Sequence, residues 1–289
     1  MTANDGRPPR RRGGVGQDRS GRAAPGAGAA GQRRGPAADR QPPVQPATYR
    51  RPSPQRRTIG PDPEIASPED SDPSLLADDV RAELRTLSAD NAERVGRHLV
   101  AAGLLLEEDP VRALSHAQAA RRTAARLPAV REAVGLAAYL SGQWQVALTE
   151  LRAVRRMTGD SRHLPLLADC ERGLGRPDRA LVLARSSEAA QLGRAERVEL
   201  RIVEAGARRD LGQLEAALNV LQDAGLAPEQ AAGWSIRLWY AYADTLLAAG
   251  RPDEARNWFE AVVGADEDEL TDAADRIAAL DGETTADGA

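Results

Sequence analysis

The sequence predicts an all-α protein: an α-solenoid of about five helical hairpins with flanking cap helices, preceded by a disordered arm. Three observations predict it. From Asp90 to about Leu280 no alternating strand pattern occurs, and helix-forming stretches of roughly 10–17 residues are separated by Gly, Pro and Asp. One short phrase recurs along that region. The first 72 residues have almost nothing to bury.

The arm, 1–72, is dominated by Arg, Gly, Pro, Ala and Gln, with only Val15, Val44, Tyr49, Ile59 and Ile65 as large apolar residues. Such a segment cannot offset an ordering entropy of ~1–2 kcal/mol per residue. Gln41–Pro46 has polyproline character. Residues 1–60 hold 13 Arg against three acids (Asp5, Asp18, Asp39), a net of +10, and the other 229 residues hold 26 Arg against 40 acids, a net of −14. The overall −4 therefore hides a basic arm on an acidic body. The chain contains no lysine, so every basic side chain is a guanidinium.

Order is expected from 73. Val80, Leu84 and Leu87 share one face of a first cap helix over 78–87. Asp90 reads as an N-cap, with Glu93 three residues on to complete a capping box. The recurring phrase is a turn residue, four positions, Ala, then usually Leu. Its copies are Gly142 to Ala147-Leu148, Gly175 to Ala180-Leu181, Gly212 to Ala217-Leu218 and Gly250 to Ala255-Arg256, with a degenerate first copy from Glu108 to Ala113-Leu114. The glycine ends one helix in the left-handed conformation. Pro177 and Pro252 suit the first turn of the next helix. The alanine marks a close crossing, where a larger side chain overpacks by ~1–3 kcal/mol.

These alanines are spaced 34, 33, 37 and 38 residues apart. The pattern resembles the tetratricopeptide repeat, whose period is ~34 residues, over roughly 90–265. Val134-Gly135 is the best trace of its first-helix signature. The two long intervals imply loop insertions near Leu192–Arg194 and Ala227–Gly233. The resemblance implies a right-handed solenoid and a final cap helix over about 268–280. The tail 283–289 is expected to be disordered. A basic Pro/Gly arm before such repeats is also similar to a set of actinobacterial tetratricopeptide proteins.

The resemblance further implies that first helices line a concave surface gripping a protein or peptide. Registering on the turns nominates His98, Glu132, Tyr139, Arg162, Asp169, Arg172, Arg209, Arg237, Tyr240 and Asp244 as inward residues, with Trp234 as an exposed anchor before its helix. Six of the nine aromatics fall between Trp234 and Phe259, which reads as the packed core of the last repeat. The family's chaperone-tail clamp uses Lys and Asn; the absence of Lys here disfavours that ligand.

Chemistry finds little support, and no catalytic residue, metal site or cofactor is expected. His98, His116 and His163 are far apart in sequence. His163 and Cys170 share a helix face but stand ~10 Å apart along it. Cys170 reads as a core residue, and a lone cysteine excludes an internal disulfide and fits a reducing cytoplasm. Gly13-Gly14-Val15-Gly16 lies in the arm with no strand before it. Asp266-Glu267-Asp268-Glu269 reads as a solvated helix start. No apolar stretch is long enough to span a membrane. The expected function is a non-enzymatic, cytoplasmic interaction scaffold. The alternative is a nucleic-acid- or ribosome-associated adaptor acting through residues 1–60. With Tyr49 as its one aromatic, the arm lacks a stacking platform; it also suits an acidic protein surface, its own acidic body, or solvation alone. Oligomeric state is open.

Overall fold

The computed structural model describes residues 71–227 and 233–286, all within the compact unit Pro43–Ala289. The arm expected over 1–72 lies outside the described residues except for Ser71 and Asp72, as do 287–289 of the tail. Among the described residues there are twelve α-helices and no strand: α1 (Asp78–Leu84), α2 (Ala89–Leu104), α3 (Pro110–Ala124), α4 (Pro128–Leu140), α5 (Trp144–Thr158), α6 (Leu164–Gly173), α7 (Pro177–Ala184), α8 (Arg194–Asp210), α9 (Leu214–Asp223), α10 (Ser235–Ala248), α11 (Pro252–Ala265) and α12 (Ala273–Ala286).

Five hairpins follow: α2–α3, α4–α5, α6–α7, α8–α9 and α10–α11, each packed on the next. Helix α1 packs on α2 at one end, and α12 packs on α11 at the other. The all-helical solenoid expected from the repeat is present.

The repeated phrase builds the same turn four times. Gly142, Gly175, Gly212 and Gly250 all sit at φ 73°. In each turn the glycine N–H bonds back three residues, Gly142 to Tyr139 O at 3.0 Å and Gly175 to Arg172 O at 2.8 Å. The next residue reaches back five, Gln143 to Ala138 O at 2.7 Å and Arg251 to Leu246 O at 3.0 Å. This paired closure satisfies carbonyls that the helix end would leave open. The first hairpin lacks the glycine. There Asp109 accepts from the Arg112 N–H at 3.0 Å and Pro110 opens α3, so a side-chain cap starts the helix instead.

The five phrase alanines, Ala113, Ala147, Ala180, Ala217 and Ala255, are completely buried. Around them the apolar residues form four clusters that succeed one another along the stack rather than one central core. That is the signature of an array in which each unit covers its neighbour. The C-terminal cluster holds most of the aromatics. Tyr240 meets Phe259 edge-on at 5.3 Å, and Tyr242 meets Trp258 likewise at 5.3 Å.

Three local expectations are corrected. Helix α2 begins at Ala89 with Ser88 preceding it, and no side chain caps it. Glu93 bonds Arg97 at 2.8 Å instead of closing a box with Asp90, because that guanidinium lies one turn away on the same face. The first long interval is taken up by a 3-10 turn, Ser187–Gln191, and Leu192, which is buried; 228–232 in the second lie outside the described residues. Asp266 does not start a helix. It is buried and accepts from the N–H groups of Leu270 (2.9 Å) and Thr271 (2.8 Å). Those bonds fold 266–271 into a turn, so α12 begins only at Ala273.

Candidate interaction face

The nominated residues come together, mostly with each other. The first helices α4, α6, α8 and α10, and then α12, are tied in succession by charged and hydroxyl groups. Between α4 and α6, Arg162 donates to both oxygens of Glu132 at 2.9 and 2.8 Å, and His163 Nε2 lies 2.9 Å from the same carboxylate. Also between α4 and α6, the Tyr139 hydroxyl donates to Asp169 at 2.8 Å. Arg172 donates to Asp169 and, across to α8, to Asp210, both at 2.8 Å. Arg209 of α8 donates to Asp244 of α10 at 2.7 Å, and Arg276 of α12 pairs with the other oxygen of Asp244. Arg237 of α10 reaches back to Glu199 of α8 at 2.8 Å. Tyr240 donates to Asp272, just before α12.

Burial divides this ladder in two. Tyr139, Asp169, Arg172, Tyr240 and Asp244 are buried, as is the side chain of Arg209. Gly206 of α8 is part of the fit, since a Cβ there would lie 2.7 Å from the Arg172 guanidinium carbon. In contrast, the Arg162 side chain is 53 % exposed and that of Arg237 is 48 % exposed. Each lies near the N-terminal end of a first helix. Trp234 is half-buried, with the Arg194 guanidinium 4.9 Å from its ring centre. His98 is buried and stands apart from the ladder, against His116.

Electrostatics follow the geometry. The hydrogen bond from His163 holds the Glu132 carboxyl below its usual range, with Arg162 acting in the same sense. Burial opposes the charge on Arg172, but Asp169 and Asp210 outweigh it and keep the guanidinium firmly protonated. Burial raises the Glu199 carboxyl, and Arg237 only partly offsets that. Burial, then the bond to Asp272, pushes the Tyr240 phenol up. Cys170 is completely buried, and burial raises its thiol, so thiolate chemistry has no foothold there.

Sequence reasoning missed a second set of carboxylates. Glu150, Glu171 and Glu204 are buried, and each is held by two arginines: Arg121 and Arg131, Arg152 and Arg176, Arg201 and Arg208. A buried carboxylate persists only when paired in this way. The available signal was an acid beside apolar stripe residues, as in Leu148-Thr149-Glu150-Leu151.

The repeated turn, the buried alanine and the hairpin stack are now in place. Residues 208–280 match the tetratricopeptide repeat family. The match runs from the end of α8 into α12 and so covers the last full repeat with its flanks. No curated protein matches the chain. Among the described residues, no helix is long and apolar enough to cross a membrane.

Proposed function

We propose that this tetratricopeptide repeat stack is a non-enzymatic scaffold that holds a partner protein segment along its first helices. The observation that carries the reading is the division of the ladder. Its inner rungs, Tyr139–Asp169–Arg172–Asp210 and Arg209–Asp244–Arg276, centred on buried Arg172 and Asp244, lock successive repeats together. Its open rungs, Glu132–Arg162 and Glu199–Arg237, leave two half-exposed guanidiniums two repeats apart. A half-exposed guanidinium is suited to carboxylates and backbone carbonyls of a partner. Arg162, Arg237, Glu132 and Trp234 are then the contact residues. Asp169, Arg172, Arg209, Tyr139, Tyr240 and Asp244 position the helices that carry them, while His98 belongs to a separate pair.

The test is capture of partners from the native organism by the full chain and by the doubly reversed variant Arg162→Glu/Arg237→Glu. Loss of captured proteins with unchanged circular dichroism is the expected result. Identical capture by both overturns the assignment of this face. The net +10 of residues 1–60 motivates the second reading, contact with nucleic acid. Six to ten phosphate contacts would weaken binding ~10³–10⁵-fold between 50 and 200 mM salt. Nucleic-acid binding that survives removal of residues 1–60 overturns that reading.

A further inference from the structure

We infer that the edge of the stack built by the ends of α3 and α5 docks an acidic protein segment, a short extended run of Asp or Glu side chains. This surface lies beyond the first-helix face, on the second helices and the turns that follow them. In a row of hairpins the C-terminal ends of second helices and the N-terminal ends of first helices share one edge. Residues 121–163 bring eight arginines to that edge against three acids, a net of +5. The arginines lie in the latter parts of α3 and α5, in the turns after them and near the start of α4. The rest of residues 61–289 holds 18 Arg against 37 acids, a net of −19, so the edge is a basic island on an acidic body.

The island is not neutralised from within. Arg121 and Arg131 converge on the one buried carboxylate of Glu150, at 3.0 and 2.8 Å, which also ties α3 to α5. Glu132 and Asp160 are both taken by Arg162, at 2.8 and 3.4 Å, and that uses all three acids. Arg152 and Arg155 reach outside the stretch, to Glu171 and Glu188. Arg122, Arg126 and Arg156 are exposed and, among the described residues, have no carboxylate partner. A helix dipole accounts for a cation at each C-terminal end. Here the last turns carry pairs, Arg121-Arg122 and Arg155-Arg156, with Arg126 just past α3. The mutual repulsion of these side chains is relieved when an anion arrives between them.

Charge and size select the occupant. Residues 1–60, at net +10, carry the same sign and are repelled. A nucleic acid long enough to bind runs on past the island. Its phosphates then lie over the acidic remainder of the body, within the ~8 Å across which charge acts at physiological salt. A protein segment can confine its charge. Packed helices stand about 8–10 Å apart, and five extended residues reach about 17 Å. A run of about five acids therefore bridges the ends of α3 and α5 and stops there. Its carboxylates suit exposed guanidiniums, which grip them bidentately.

The test is fluorescence anisotropy of two labelled peptides titrated with the full chain. One has a central run of about five glutamates, and the other has glutamines in their place. The comparison is with Arg122→Glu/Arg126→Glu/Arg156→Glu, in which residues 1–60, Arg162 and Arg237 are unchanged. The contribution of residues 1–60 thus cancels, and the island and the first-helix face can fail separately. The glutamate peptide should bind wild type at least ~10-fold more tightly than the variant, three exposed ion pairs being removed and their sign reversed. Hydrogen exchange of the wild type with this peptide bound does not depend on the variant folding, and protection should rise at 121–131 and 152–162. Equal affinity of the two proteins for the glutamate peptide, equal binding of the two peptides by wild type, or no added protection in those segments overturns the inference. So does a short DNA duplex that binds more tightly than the glutamate peptide and loses as much on charge reversal.

Discussion

Replacing Asp244 with Asn should destabilise the C-terminal repeats far more than any single exposed ion pair could. One carboxylate there joins three elements: Arg209 from α8 donates to it at 2.7 Å, and Arg276 from α12 pairs with its other oxygen. The Asp244 side chain is 1 % exposed and that of Arg209 is 7 % exposed. Asn keeps the shape and removes the charge, leaving two guanidiniums facing a neutral amide. Breaking a buried pair from one side costs ~3–5 kcal/mol. Arg276 is partly open to solvent, so water shares its charge and the lower end, ~3 kcal/mol, applies. For a domain of this size that corresponds to a fall in melting temperature of about 6–12 °C. Urea unfolding followed by tryptophan emission reports on this end directly, since Trp239 and Trp258 pack beside each other there. Glu254→Gln is the reference: it breaks the exposed Arg251–Glu254 pair and should leave the midpoint unchanged. Arg209→Gln and Asp244→Asn together should cost less than the sum of the two single changes, because the two positions are coupled. Equal midpoints for Asp244→Asn and Glu254→Gln would refute the claim that the ladder binds the repeats together.

Further outcomes follow from the turns, the crossings and the open rung. Gly175→Ala should cost ~1–2 kcal/mol by backbone conformation alone, since φ is 73° and no heavy atom lies within 4 Å of an added Cβ; in Gly103→Ala, a helical site equally open, the sign should reverse, and denaturation midpoints of the two variants decide. Ala147→Leu and Ala217→Leu should each lower the melting temperature by overpacking worth ~1–3 kcal/mol, and calorimetry showing no loss at either site would remove the crossing role of the alanines. Glu199→Gln should leave stability at pH 7 equal or higher by less than ~1 kcal/mol. Burial raises the folded Glu199 carboxyl, so wild-type stability from this group is greatest below the unfolded value near 4.3 and falls as pH rises toward the folded value. The variant's advantage should therefore vanish at pH 4. A variant weaker at pH 7 than at pH 4 would show that the bond to Arg237 outweighs burial.

Much of the local structure was legible from spacing. Gly142, Gly175, Gly212 and Gly250 needed only a glycine, a helix before it and a helix after it, because their turn closes through backbone bonds within six residues. Ala113 to Ala255 were legible because a hairpin crossing repeats at fixed distance from that turn. The aromatic core near Phe259 was legible from density alone. The start of α12 was not, since Asp266 captures the amides of residues 270 and 271 through a side chain whose direction no composition rule supplies.

The sequence by itself determined the hairpins, the turn type and the register of the first helices, because each depends on contacts within about forty residues and on backbone chemistry. Only the tertiary structure decided what the polar residues of those helices do. Arg172 and Arg162 are both nominated by the pattern as inward residues, yet one is sealed between Asp169 and Asp210 and the other stands half in solvent. His98 and His116 look unrelated in sequence and stand 3.1 Å apart, Nδ1 to Nδ1, in the fold. The physical reason is that a charge or a proton answers to whatever lies within ~4 Å of it. In a stack of repeats, part of that surrounding comes from the neighbouring hairpin.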